Sequence, residues 1–153
     1  MEKQFIPYEE ARLLKGLGFD EKCFRFYREE TNYDRLRLMG GNGTPKTNSQ
    51  LIDLSYTVLK GLQGKVFMTA PLYQQAFAWF REKHELKHTI NDHCGEKFYY
   101  NITNLNNTSD YELKRFCVEE EVKVDDWSKI EFKTYEEAEQ MALEMLIKFV
   151  KTK

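Results

Sequence analysis

The chain has 153 residues, with 23 basic and 25 acidic side chains and a formal net charge of -2. That near balance speaks against a general nucleic-acid binder, which carries a basic excess to displace counterions from phosphates, but it leaves room for one small basic pocket. Aromatic residues make up 14%, against eight Gly and three Pro, which excludes disordered, low-complexity and collagen-like chains.

The length predicts one domain, residues 1–153, around one core. No apolar run reaches the roughly eighteen residues that suggest a membrane span. Met1-Glu2-Lys3-Gln4 has no apolar stretch behind its charge, so no secretory signal is expected. Cys23, Cys94 and Cys117 are odd in number and far apart, and they read as reduced thiols in a cytoplasm.

The first expected helix runs from about Pro7 to Lys15, opened by Pro7 and by Glu9 and Glu10 at the positive end of the dipole. Gly16 and Gly18 supply its stop, since glycine takes the left-handed cap freely. Cys23–Tyr27 and Tyr33–Leu38 alternate as strands, and Lys65–Met68 is a short third. Leu51–Leu62 fits both periods and leans to helix through Leu51, Leu54, Val58 and Leu62. A second helix is expected from about Pro71 to His84, with Thr69 or Ala70 near its cap. Tyr73, Ala76, Phe77 and Phe80 share one face, widened by Leu72, Trp79 and Leu86.

Lys97–Ile102 and Glu112–Val118 flank an Asn-rich turn, Asn104–Asp110, and are expected to pair as a hairpin. Trp127–Phe132 reads as a last strand. It leads into a helix from Tyr135 to Lys151, capped by Thr134 with Glu137. Its apolar stripe runs through Ala138, Met141, Ala142, Met145, Leu146, Phe149 and Val150. Short connections between strands imply antiparallel pairing, so the expected fold is α+β, an antiparallel sheet with about three helices packed on it.

Three features carry candidate chemistry. Gly40-Gly41-Asn42-Gly43-Thr44-Pro45-Lys46-Thr47 matches the phosphate-binding P-loop except at its second glycine, where Pro45 stands. Proline has no N–H to give a phosphate and fixes φ where glycine's freedom is used. Phosphate catalysis is therefore not expected, while contact between this loop, with Lys46, and some anion is. His84, His88 and His93 fall within ten residues and Cys94 follows. These are zinc-type ligands, but their spacing fits no established zinc pattern, so no metal and no cofactor is implied. Tyr73, Phe77, Trp79 and Phe80 with Arg81 could form a stacking pocket for a nucleotide, although helical spacing assigns most of these rings to the core. The acidic stretch from Glu119 to Asp126 reads as a solvated turn.

Ala70-Pro71-Leu72-Tyr73-Gln74-Gln75-Ala76-Phe77-Ala78-Trp79-Phe80-Arg81-Glu82-Lys83 resembles a block in small proteins encoded by phages and prophages of Bacteroidota-type bacteria. Thr134–Glu139 and Leu146–Lys151 resemble the end of the same proteins, and Gly18-Phe19 and Cys23–Tyr27 are similar too. These blocks cover about a third of the chain and imply an origin rather than an activity. The implied role is that of a viral accessory protein in a bacterial cytoplasm, acting on host defence by sequestering a nucleotide signal or by blocking a host protein.

The expectation is therefore a non-enzymatic binding module, with homo-oligomers in view and no membrane partner. Its candidate ligand-binding residues are Tyr73, Trp79, Arg81, Lys83 and Lys46, with Arg37 contributing. The alternatives are a protein–protein inhibitor of a host factor, or a small metal-dependent enzyme built on His84, His88 and His93.

Overall fold

A computed structural model describes residues 4–30, 35–40, 44–51, 67–93, 97–105 and 131–152. In chain order its elements are α1 (Tyr8–Gly16), β1 (Arg25–Glu30), β2 (Arg35–Gly40), β3 (Phe67–Ala70), α2 (Tyr73–His84), β4 (Leu86–His93), β5 (Lys97–Asn104) and α3 (Tyr135–Lys151). Residues 48–51 are also helical. Antiparallel sheets combined with helices give the expected α+β fold. The described strands form two sheets, ordered β2-β1-β3 and β4-β5. Contacts group the chain into two units, Met1–Ala76 and Phe77–Lys153, with the division inside α2.

In the N-terminal unit, α1 buries Ala11 and Leu14 and ends in a Schellman motif. The Gly18 N–H donates to the Lys15 carbonyl and the Phe19 N–H to the Leu14 carbonyl, both at 3.0 Å. Phe19 and Leu14 are both buried, which supplies the apolar contact of that motif. Gly18 has a φ of +92° and open space where a Cβ would stand. Any side chain there meets a backbone penalty rather than a collision. Gly18→Ala is thus expected to lower stability by about 1 kcal/mol, read as a fall in the urea midpoint. An unchanged midpoint would show that the cap does not depend on glycine.

β1 is the central strand, with Tyr27 opposite Leu38 on β2 and Met68 on β3. The buried Tyr27 hydroxyl donates to the Ile6 carbonyl at 2.6 Å, and the Tyr8 ring meets the Tyr27 ring edge-on. Phe5 bridges Leu72, and the Ile6 N–H donates to the Pro71 carbonyl at 2.9 Å. The first described residues therefore lie alongside the chain that leaves β3.

Thr69 stands opposite Phe26 of β1, and its N–H donates to Asn48 Oδ1 at 3.0 Å. Asn48 Nδ2 donates in turn to the Phe19 carbonyl at 2.7 Å. The buried Asn48 side chain thereby supplies partners to two backbone groups that no strand or helix ladder among the described residues reaches. The start of α2 is capped differently from expectation. Thr69 and Ala70 belong to β3, and it is Gln75 Oε1 that accepts from the Leu72 N–H at 2.9 Å.

In the C-terminal unit, α2 buries Phe77, Trp79 and Phe80. It stops at His84 because Glu85 takes a φ of 59°, in the left-handed region. The chain turns there into β4, which pairs with β5 from Leu86↔Asn104 to His93↔Lys97. This corrects two expectations. Residues 86–93 are a strand rather than a helix end and turn, and the described hairpin partner of β5 is β4. Glu112–Val118, the partner expected for Lys97–Ile102, lies outside the described residues. So do 52–62 of the ambiguous segment and 127–130 of the last expected strand. Phe132 does bridge Phe98 on β5, with an exposed ion pair between Lys97 and Glu131 beside it.

α3 packs on β5 and β4. Its buried residues are Ala138, Ala142, Leu143, Leu146 and Ile147, whereas Met141, Met145, Phe149 and Val150 are only half-buried. The buried face is thus centred on the 142/143 and 146/147 pairs, rotated from the stripe read in the sequence. Thr134 caps the helix by accepting from the Glu137 N–H at 3.2 Å. Glu137 returns its carboxylate to the Lys133 N–H at 3.1 Å, one residue earlier than a reciprocal capping box would place it.

Candidate functional site

The loop that resembles a P-loop leads into the helical stretch at 48–51. Thr47 Oγ1 accepts from the Gln50 N–H at 3.2 Å, and Gln50 Oε1 accepts from the Thr47 N–H at 3.1 Å. This is a Thr-x-x-Gln capping box, a signal legible in the sequence and missed beside the P-loop pattern. A carboxylate also sits at this helix start: Asp20 accepts from both the Ser49 N–H and the Ser49 hydroxyl, each at 2.7 Å. Burial pushes the Asp20 carboxyl up, but hydrogen bonds from Ser49, Thr47 and Asn48 outweigh that and hold it below its ordinary value. The chain thus places its own carboxylate at the start of this helical stretch.

Lys46 is held by its backbone, exchanging two 2.9 Å hydrogen bonds with Cys23. Cys23 is buried, and burial pushes its thiol up to about 12, with the hydrogen bond to Thr69 opposing weakly. Such a thiol stays protonated and is a poor nucleophile at neutral pH.

The aromatic and histidine cluster gathers where α2 ends and β4 begins. Trp79 meets Phe80 edge-on at 5.0 Å, and His84 edge-on at 4.6 Å. Phe77 stacks on His88 with centroids 3.5 Å apart and planes within 19°. His88 shares its β4 face with Leu86 and Ile90, opposite Ile102 and Tyr100 of β5. Burial, and then the charges of Arg81 and Lys87, push the His88 imidazole down to about 4, so it is neutral at neutral pH.

Tyr73 and Trp79 are buried, at 8% and 5% exposure, which favours packing over stacking on a ligand. Arg81 and Lys83 are exposed on the last turn of α2. Tyr73 and Lys46 belong to the N-terminal unit, and Trp79, Arg81 and Lys83 to the C-terminal one. Arg37 lies in β2, opposite Arg28. His84 ends a helix and His88 lies in a strand, so their four-residue spacing does not place them on one helical face. His93 closes β4, and Cys94 lies outside the described residues. Among the described residues no group of three His, Cys, Asp or Glu side chains is placed to hold a metal ion.

No protein-family model, curated protein or solved structure matches the chain. Its chemistry has to be read from its own side chains. Sequence reasoning named Phe77 and His88 but not their stacking on each other. The signal for it was the alternation of Leu86, His88 and Ile90, overshadowed by the helical spacing of His84 and His88. Among the described residues no helix is long and apolar enough to cross a membrane.

Proposed function

We propose that the chain is a non-enzymatic binding module of the phage accessory kind, sequestering a phosphate-bearing host signal in a bacterial cytoplasm. The observation that carries this reading is the contrast between its muted reactive groups and its open cations. The thiol of Cys23 stays protonated, and His88 is a neutral ring too weakly basic to take a proton near pH 7. Arg81 and Lys83, by contrast, are exposed, and neither has an ion-pair partner among the described residues.

Thermal-shift measurements against cyclic and linear nucleotides test it. At a ligand concentration about 100-fold above Kd, stabilisation near 2.7 kcal/mol is expected. No shift with any nucleotide at saturating concentration defeats the sequestering role.

One observation favours a second reading, a blocker of a host protein. Phe24 is 61% exposed just before β1, a ring that protein contact would cover. A host protein captured by the native chain and lost with Phe24→Ala would favour this reading, and equal capture by both would remove its support.

A further inference from the structure

β4 and β5 pair without a break in register, so alternate residues of each strand share one side of the ladder. One side is apolar: Leu86 and Ile102 are buried there, His88 stacks on Phe77, and Phe98 meets Tyr135 of α3 edge-on. The other side carries Lys87, Thr89 and Asn91 of β4 and Tyr99 and Asn101 of β5, with Asn91 directly opposite Tyr99 and Thr89 opposite Asn101. The Tyr99 ring is 38% exposed, and Lys87 and Thr89 are exposed as well. Directly opposed residues hold their Cβ atoms about 5 Å apart, and alternate residues of one strand lie about 7 Å apart. The ring is thus bordered by one amide across the ladder and another along its own strand. Among the described residues, none of these five side chains makes a hydrogen bond or an ion pair. Asparagine is disfavoured in strands, where its short amide competes with the ladder for backbone partners. Strand pairing therefore does not account for two unengaged amides beside an exposed ring.

We propose that this side of the ladder binds a nucleotide, with the base lying on the Tyr99 ring and its edge against the amides of Asn91 and Asn101. The inference rests on the reading of the chain as a binder of a phosphate-bearing signal, and it places the base of that signal. The donor set and the charge both favour this occupant. A flat ring takes a flat partner, and an amide presents a donor beside an acceptor, which matches the mixed edge of a base such as adenine. No strand residue on this side is acidic, and the neighbouring Glu131 is held by Lys97. Lys87 lies four residues before Asn91 on the same side, about 13 Å along the strand. A nucleotide laid along the ladder from Tyr99 thus passes its ribose over Thr89 and brings its phosphate to the Lys87 ammonium.

Calorimetric titration of the full chain with 5′-AMP tests this, with adenosine and ribose 5-phosphate as comparisons. AMP is expected to bind saturably, and ribose 5-phosphate at least about fivefold more weakly, because it has no base to stack. Tyr99→Ser is expected to weaken AMP binding by at least about fivefold, while Tyr99→Phe retains it because the ring is kept. Lys87→Gln is expected to bring the affinity for AMP down to that for adenosine. The altered side chains are exposed, and unfolding midpoints without ligand check that each variant keeps its fold. The inference is overturned by no saturable binding of AMP, by equal affinity for ribose 5-phosphate, or by unchanged AMP affinity in Tyr99→Ser or in Lys87→Gln. A nucleotide that stabilises the native chain and Tyr99→Ser equally overturns this site and leaves the wider binding role standing. Failure of every nucleotide to stabilise the chain removes both.

Discussion

Asn48→Ala is expected to destabilise the N-terminal unit by about 2–4 kcal/mol, the largest effect of any single substitution considered. The truncation strands two buried backbone groups, the Thr69 N–H and the Phe19 carbonyl, each losing a hydrogen bond of 3.0 Å or shorter. Leaving a buried donor or acceptor unsatisfied costs about 1–3 kcal/mol per group. The comparison with Asn48→Asp separates hydrogen bonding from packing. Aspartate keeps the acceptor for Thr69 but faces the Phe19 carbonyl with an oxygen. It should therefore be destabilising at neutral pH and partly rescued when protonated, because it then regains a donor. Urea unfolding monitored by tryptophan fluorescence and by circular dichroism reads both variants. A loss under about 0.5 kcal/mol in Asn48→Ala would mean that this side chain does not join the segment after α1 to β3.

The second large effect is a dependence of stability on pH centred on His88. Its folded value of about 4 lies below the ordinary 6.5, so the unfolded chain binds the proton more readily. Stability from this group is therefore complete above about pH 6.5, falls as pH drops toward 4, and levels off below, where both states are protonated. Because the ring is partly exposed, solvent screening reduces the effect to about 2 kcal/mol across that window. His88→Phe retains a ring for stacking on Phe77 and cannot titrate, so its unfolding free energy should change less between pH 7 and pH 4.5. The same slope in both proteins would place the titration elsewhere. Asp20 acts lower on the scale. Its depressed carboxyl contributes stability above the ordinary carboxylate value, and this is lost only as pH falls through its folded value.

Several elements were legible in the sequence because local chemistry decides them. Pro7 with two glutamates and Gly18 bracket α1, and the Thr134 cap opens α3. The buried face of α2 follows the helical spacing of Ala76, Phe77 and Phe80. What escaped was decided by partners distant in sequence. β4 is a strand because β5 supplies its hydrogen bonds, and the short alternation of Leu86, His88 and Ile90 was outweighed by the His84/His88 spacing. Asn48 follows a glycine-rich loop and carries no local signal of its own. Its importance comes from Phe19 and Thr69, 29 and 21 positions away. The candidate site divides along the same line. Spacing alone drew attention to Tyr73 and Trp79, yet burial assigns both to packing, while Arg81 is exposed. His88 meets Phe77 only once β4 folds back after α2.

Calorimetric titration of the full chain with a panel of mono-, di- and cyclic nucleotides, followed by chromatography of the recovered ligand, tests the central claim most directly. The account predicts saturable heat with at least one phosphate-bearing ligand, recovered chemically unchanged. Absence of heat across the panel, or recovery of a converted product, would contradict it.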